Sequence, residues 1–175
     1  VFLKGFASRN DPILKKAYLT YVRPVLEYAS SVWSPYLLKH INAIERVQKY
    51  FTGCILSISH LSYPERLAAI DLEPLELRRL KADLLLYYKS YHDLVALPFN
   101  DYFVQSQYVS QTRTCGYRLL RPMCRTNRYE NDFFNRCISC FNSLPSDVVN
   151  ASSIYAFKRL LSSYDLSDFI LCSYL

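Results

Sequence analysis

Glycine is nearly missing from this chain of 175 residues: Gly5, Gly53 and Gly116 are the only three. A dinucleotide fingerprint, a phosphate-cradling P-loop and a nucleophile elbow each need closely spaced glycines, because the backbone there must approach a ligand or turn through a left-handed conformation. None can be written with glycines so far apart, and the enzyme classes built on them drop out. The three histidines, His40, His60 and His92, are too distant from one another for a paired zinc-ligand helix, and no Asp-Asp pair occurs. No carboxylate pair or nucleophile–base pair stands in a recognisable catalytic arrangement, so the expectation is no catalytic residue and no cofactor or metal in this chain. Long apolar runs are lacking too. The longest uncharged stretch, Tyr50 to Pro64, contains Thr52, Gly53, Ser57, Ser59, His60 and Ser62. That is too polar for a span of roughly 20 apolar residues, and no transmembrane helix is predicted. The opening Val1-Phe2-Leu3 has neither a methionine nor a basic, apolar, small-residue leader. The expectation is a non-secreted, intracellular chain that is a piece of something longer. Its six cysteines then read as reduced thiols.

What is present is apolar and basic. A 51% hydrophobic and 15% aromatic content excludes disorder, and the length is that of one domain, or of one domain with a structured tail. Lys plus Arg number 21 against 15 Asp plus Glu, for a net charge of +6, which favours an anionic partner. The excess is uneven. Residues 1–60 carry eight basic and three acidic groups and residues 101–140 six and three, whereas 61–100 and 141–175 are each one charge negative.

Helical periods dominate residues 8–95, read as a helical bundle. Asn10 or Asp11 caps a helix with Pro12 in its first turn and Ile13, Ala17 and Tyr21 as an apolar row. Pro24 should kink it, with the helix resuming through Val25, Tyr28 and Val32. After Ser34-Pro35, a second helix over about 37–52 places Ile41, Ile44, Val47 and Phe51 on one stripe, with Lys39, Glu45, Arg46 and Lys49 elsewhere. Ser62-Tyr63-Pro64-Glu65 has the spacing of a capping box, and a long helix over about 74–95 carries Leu77, Leu80, Leu84, Tyr87, Tyr88 and Tyr91 inward. From 96 to 131 the helical period is lost, and the segment reads as an irregular basic connection with at most short strands near Tyr117 to Leu120. Residues 132–175 return to a terminal helix pair: 132–143 with Phe134, Cys137, Ile138 and Phe141 on one side, then a helix capped by Ser152 or Ser153 and running through Phe157, Leu160 and Leu161. The predicted class is mainly α, with few or no strands.

The irregular connection holds the densest chemistry. Arg113, Arg118, Arg121, Arg125 and Arg128 have no acidic residue between them and are interleaved with Thr112, Thr114, Tyr117, Thr126, Asn127 and Tyr129. Guanidinium forks fit phosphate oxygens, hydroxyls and amides add phosphate bonds, and tyrosines stack on unpaired bases. The plain alternative is a solvated loop whose arginines pair with acids on the helical body. Lys15, Lys16 and Arg23 on the first helix, with Lys39, Arg46 and Lys49 on the second, form a further candidate surface, although charged outer faces are the default for amphipathic helices. Cys137-x-x-Cys140 with Cys115 and Cys124 upstream is a poor zinc site, because eight residues separate Cys115 from Cys124, and Cys137 and Cys140 lie in an apolar helical stripe. Trp33 reads as core or rim, not as part of a cofactor box.

The order of short blocks is more specific than the composition. Tyr18-Leu19-Thr20-Tyr21-Val22-Arg23-Pro24-Val25-Leu26-Glu27-Tyr28, Val32-Trp33-Ser34-Pro35, Ile44-Glu45-Arg46-Val47-Gln48-Lys49 and Leu61-Ser62-Tyr63-Pro64-Glu65-Arg66-Leu67 follow one another. Leu75-Glu76-Leu77-Arg78-Arg79-Leu80, Arg125-Thr126-Asn127, Phe133-Phe134-Asn135-Arg136, Asn142-Ser143-Leu144-Pro145 and Phe157-Lys158-Arg159 come after them. Together, from about Phe6 to Phe169, they resemble the region after the palm in reverse transcriptases of non-LTR, LINE-type retrotransposons of the jockey kind. The chain departs from that pattern at Phe141, where tryptophan is usual, and at Thr114-Cys115, where Gly-His is common.

The resemblance implies a thumb and C-terminal extension, located in the nucleus or in a cytoplasmic ribonucleoprotein. Such polymerases copy RNA into DNA with two metal ions, magnesium in the full-length enzyme, held by palm aspartates, one pair of them in a Tyr/Phe-x-Asp-Asp motif that this chain lacks. The implied partners are an RNA/DNA template-primer duplex, gripped by its backbone, and the upstream palm and fingers; no membrane and no small-molecule substrate are expected. Two other readings stay open: a non-binding remnant of a degenerate element, and a helical protein-interaction module, which exposed apolar area would mark.

Overall fold

A computed structural model describes residues 11–105 and 118–171. They form a mainly helical protein, and no strand occurs among them beyond an isolated antiparallel bridge between Gln105 and Leu119. Two compact units share the chain. One comprises the described residues of Val1–Ala29, Pro35–Arg79 and Ile170–Leu175; the other comprises Ser30–Ser34 and the described residues of Leu80–Phe169. The division falls inside a helix, at Arg79, and not near residue 95.

In the first unit, α1 (Asp11–Ala17) runs into a π-helical turn (Tyr18–Val22) and then α2 (Arg23–Glu27). Pro24 explains the turn. It has no amide hydrogen, and its ring crowds the carbonyl four residues back, so the ladder widens by one residue just upstream, with the Arg23 amide donating to the Tyr18 carbonyl. The buried face is Leu14, Ala17 and Tyr18, at ordinary helical spacing; Ile13 and Tyr21 of the predicted row are exposed. Nor does the helix resume through Val32. It ends at Glu27, Ala29 takes a left-handed φ of 52°, and Val32 is 84% exposed. Arg78 forks onto the Glu27 carboxylate, its Nη2 3.2 Å from Oε2, and buried Arg79 donates to the Leu26 carbonyl at 2.5 Å, so cations close the C-terminal end of α2.

The next helix, α3 (Leu38–Gly53), buries Ile41 and Phe51 as its period predicts, but Val47 is exposed and Glu45 and Gln48 point inward. α4 (Tyr63–Ala69) begins at the Ser62 box: the Glu65 carboxylate accepts from the Ser62 amide at 2.8 Å and from its hydroxyl at 2.6 Å. Those bonds hold the Glu65 carboxyl below the usual range. Leu14, Tyr18, Phe51, Ile55 and Ile58 make the core, with the Tyr18 and Phe51 rings stacked 4.4 Å apart.

In the second unit the core is aromatic. α5 (Leu75–Tyr91), which begins in the first unit, supplies Tyr87 and Tyr88. Around Tyr87 stand Phe103, Phe133 and Phe141, with ring centroids 4.7, 5.2 and 5.6 Å away, while Tyr88 stacks on Phe157 at 4.3 Å. Both phenols are satisfied inside: Tyr87 donates to the Phe133 carbonyl at 2.8 Å and Tyr88 to that of Ala151 at 2.6 Å. The short helices α6 (Phe99–Tyr102) and α7 (Asn127–Glu130) interrupt the irregular connection. The single helix predicted over 132–143 is two, α8 (Phe133–Arg136) and α9 (Ile138–Ser143), with Cys137 between them, and Phe133 is more buried than Phe134. α10 (Ser146–Val149) intervenes before α11 (Ile154–Ser163), whose cap is Ser153, accepting from the Ala156 amide at 3.1 Å. Among the described residues no helix is long and apolar enough to cross a membrane.

Candidate nucleic-acid interface

Around Leu119 the basic connection is tied down by backbone pairing and by the Asn142 side chain. The Leu120 amide donates to the Val104 carbonyl at 2.7 Å beside the Gln105–Leu119 bridge. On the other side Asn142, from α9, pairs with the backbone of Leu119 in both directions: its Oδ1 accepts from the Leu119 amide at 2.8 Å, and its Nδ2 donates to the Leu119 carbonyl at 2.9 Å. A carboxamide used this way stands in for a neighbouring strand, and it satisfies both polar groups of a buried residue. We predict that Asn142→Ala removes about 1–3 kcal/mol, the cost of leaving that amide and carbonyl without partners. Faster hydrogen exchange at the Leu119 amide, with a lower melting temperature, is the measurement that checks it.

With Leu119 buried, its neighbours turn outward. Arg118, Leu120 and Arg121 join Ile138, Ser139, Asn142 and Ser143 of α9 around an open cleft of about 620 Å³. The wall carries two guanidinium groups and no carboxylate. Arg121 is nonetheless engaged, since its Nη2 lies 2.5 Å from Glu130 Oε1 on α7, in a pair that is about half exposed on both sides. Both charges keep much of their water, so the pair contributes roughly 0–1 kcal/mol.

Of the sequence-predicted site residues, the structure thus brings Arg118 and Arg121 together. Arg125 and Arg128 are exposed but do not line the cleft, and Arg113 lies outside the described residues, as do Thr112, Thr114, Cys115 and Tyr117. In the first unit Lys16, Lys39, Arg46 and Lys49 are exposed and Lys15 is half-buried; Arg23 faces Glu27 at 3.8 Å. Lys49 sits over the Tyr63 ring, 5.8 Å from its centroid. Trp33 is at the rim, 44% exposed. Sequence reasoning missed Ser139, Asn142, Ser143 and Glu130 as parts of this surface. The block Asn142-Ser143-Leu144-Pro145 was a signal for some constrained role, but a side-chain amide pairing with backbone 23 residues away leaves no local pattern.

Cys137 and Cys140 are packed groups. Burial pushes the Cys140 thiol up to about 12 and the Cys137 thiol well above the ordinary range, so both stay protonated at neutral pH. Among the described residues no three His, Cys, Asp or Glu side chains are grouped as a metal site needs.

No protein-family model matches the chain, and no curated protein or solved structure shows significant similarity to it.

Proposed function

We propose that this chain is the nucleic-acid-gripping thumb and C-terminal portion of a retrotransposon RNA-directed DNA polymerase, holding template-primer by its backbone and leaving catalysis to an upstream palm. The ordered sequence blocks support the family assignment. The observation that carries the binding role is the Arg118 and Arg121 wall, held in place by Asn142 beside the exposed Ser139 hydroxyl. Arginines and hydroxyls on a tied-down backbone suit phosphate oxygens and carry no information about base sequence.

The test is binding of the purified chain to an RNA–DNA primer-template, titrated across salt, beside a variant with Arg113, Arg118, Arg121, Arg125 and Arg128 all changed to Ala. The expected result is sequence-independent binding that weakens with salt, and a variant whose log–log salt slope is flatter by roughly one for each arginine that meets a phosphate. Unchanged affinity of the variant at low salt would sink the proposal.

One observation favours a second reading, the protein-interaction module. Tyr21, Val25 and Tyr28, in and beside α2, are between 65% and 77% exposed. Three large apolar side chains so close on one short stretch suit a protein surface better than water. In the leading reading the upstream palm meets this stretch; in the second, another protein does.

A further inference from the structure

We infer that the outward face of α3 is a second phosphate-contacting surface, on which Lys39, Arg46 and Lys49 meet the backbone of the template-primer independently of the arginine segment in the other unit. The inference rests on the nucleic-acid reading above and gives the first unit its own part in it. Helix α3 contains one acidic residue, Glu45, which is also the only one between Glu27 and Glu65 in the sequence. Glu45 precedes Lys49 by four residues, the spacing at which an outward glutamate pairs with a lysine and neutralises it. The fold turns it inward instead. Its carboxylate accepts from the Leu75 amide, at 2.9 Å, and from the Tyr63 hydroxyl, and the residue is 1% exposed.

The charge left outside is of one sign. Lys39, Arg46 and Lys49 are all exposed, and among the described residues no carboxylate pairs with any of them, whereas Arg23, Arg78, Arg121 and Arg136 each face one. The acids nearest in sequence on either side are engaged elsewhere: Glu27 takes the Arg78 fork, and Glu65 accepts from Ser62. Lys39 and Arg46 are two turns apart on one line of the helix, about 10 Å along its axis, and Lys49 follows one turn later. Cations at fixed intervals on a helix suit the phosphates of a backbone and read no base.

The same face does not suit a lipid surface. A helix lying in a membrane interface buries its apolar side there, and the apolar side of α3, with Ile41 and Phe51, is buried in the protein. Complementarity of charge therefore favours nucleic acid.

The experiment compares two paired variants that remove the same two charges. Lys39→Gln with Arg46→Gln alters α3, and Lys158→Gln with Arg159→Gln alters exposed positions of α11 in the second unit. Glutamine keeps the helix propensity, and an unchanged melting temperature verifies each fold. Each is titrated with an RNA–DNA primer-template across salt by fluorescence anisotropy. The expected result is affinity at low salt lowered about tenfold by the α3 pair, with a log–log salt slope flatter by about two, and affinity held within about twofold by the α11 pair. Adding Lys49→Gln should flatten the slope by about one more, and the exchange of Lys39→Arg with Arg46→Lys should bind as the wild type does. Equal losses from the α3 and α11 pairs would mean that only net charge matters, and an unchanged α3 pair that the face meets no phosphate. Either overturns the inference while leaving the proposed function standing. Weaker binding of the α3 pair to phosphatidylserine–phosphatidylcholine vesicles, with primer-template binding intact, overturns it in favour of a membrane surface. A wild-type chain that binds no primer-template overturns the proposed function, and the α3 assignment with it.

Discussion

Arg136→Ala is expected to lower the stability of the protein by about 3–5 kcal/mol, the largest loss from any single change considered. Arg136 Nη2 and Nε reach Asp83 Oδ2 at 2.8 and 3.0 Å, and Nη2 also donates to the carbonyls of Ser30 and Ser31 at 2.9 and 3.4 Å. The Asp83 side chain is only 4% exposed, and the Arg136 guanidinium stands over the Phe133 ring, 5.6 Å from its centroid. Truncating the arginine would strip a desolvated carboxylate of its cation and two carbonyls of their donor, while a cavity opens beside the ring. The cost is the burial of charge and polarity left behind, not the value of the pair itself. Two further variants separate those terms. Arg136→Lys keeps the charge but loses the fork and should fall between. Asp83→Leu combined with Arg136→Met removes both charges and should recover most of the loss. Urea unfolding followed by circular dichroism gives all three values, and a loss below about 1 kcal/mol for Arg136→Ala would mean that water reaches the pair.

The second large effect concerns Glu45, which is 1% exposed. Its Oε2 accepts from the Leu75 amide at 2.9 Å, its Oε1 from the Tyr63 hydroxyl, and Gln48 Nε2 lies 3.4 Å from Oε1. Gln48 extends the network, accepting from Tyr18 at 2.7 Å and donating to the Glu73 carbonyl at 3.0 Å. Four segments of the first unit meet here, and Glu45→Ala should cost about 3 kcal/mol or more, since a buried amide and a buried phenol lose their acceptor together. Burial raises the Glu45 carboxyl above its ordinary 4.5, outweighing the hydrogen bonds from Tyr63 and Leu75 that pull it down. The sign follows from proton linkage. Between the unfolded value near 4.5 and the raised folded value the native state holds more protons than the unfolded chain, so the Glu45 contribution falls as pH rises through that window and is level above it. Glu45→Gln keeps an acceptor oxygen but cannot ionise. Its unfolding free energy, subtracted from that of the wild type at each pH, should show this decline starting near pH 4.5, and a flat difference would refute the assignment.

The two networks also show where the sequence could be read and where it could not. Local pattern placed helices over about 37–52 and 74–95, observed as Leu38–Gly53 and Leu75–Tyr91, the Ser62 box, and a cap at Ser152 or Ser153, observed at Ser153, because each depends on residues within a turn or two of one another. The same reasoning put Glu45 outside and Val47 inside, because a glutamate counts as polar until a partner is known; the partners, Tyr63 and Leu75, are supplied by elements distant in the chain. Asp83 and Arg136 were hidden for the same reason, 53 residues apart and each unremarkable alone. Pro24 announced a distortion, yet its missing amide is compatible with a kinked α-helix and with a π-turn alike, and the structure has the π-turn.

The candidate interface divides along the same line. Arginine-rich composition marked residues 113–128 as a candidate phosphate surface, since charge and the absence of nearby acids are properties of the chain itself. Which arginines share a site was decided by Asn142 clamping Leu119, and how free they are was decided by Glu130 reaching Arg121. Local order, helix ends and net charge follow from neighbours in sequence, whose interactions survive in any fold of the chain. The buried ion pair, the Glu45 network and the cleft require groups from distant segments to be desolvated together, and only tertiary structure brings such groups within hydrogen-bonding distance.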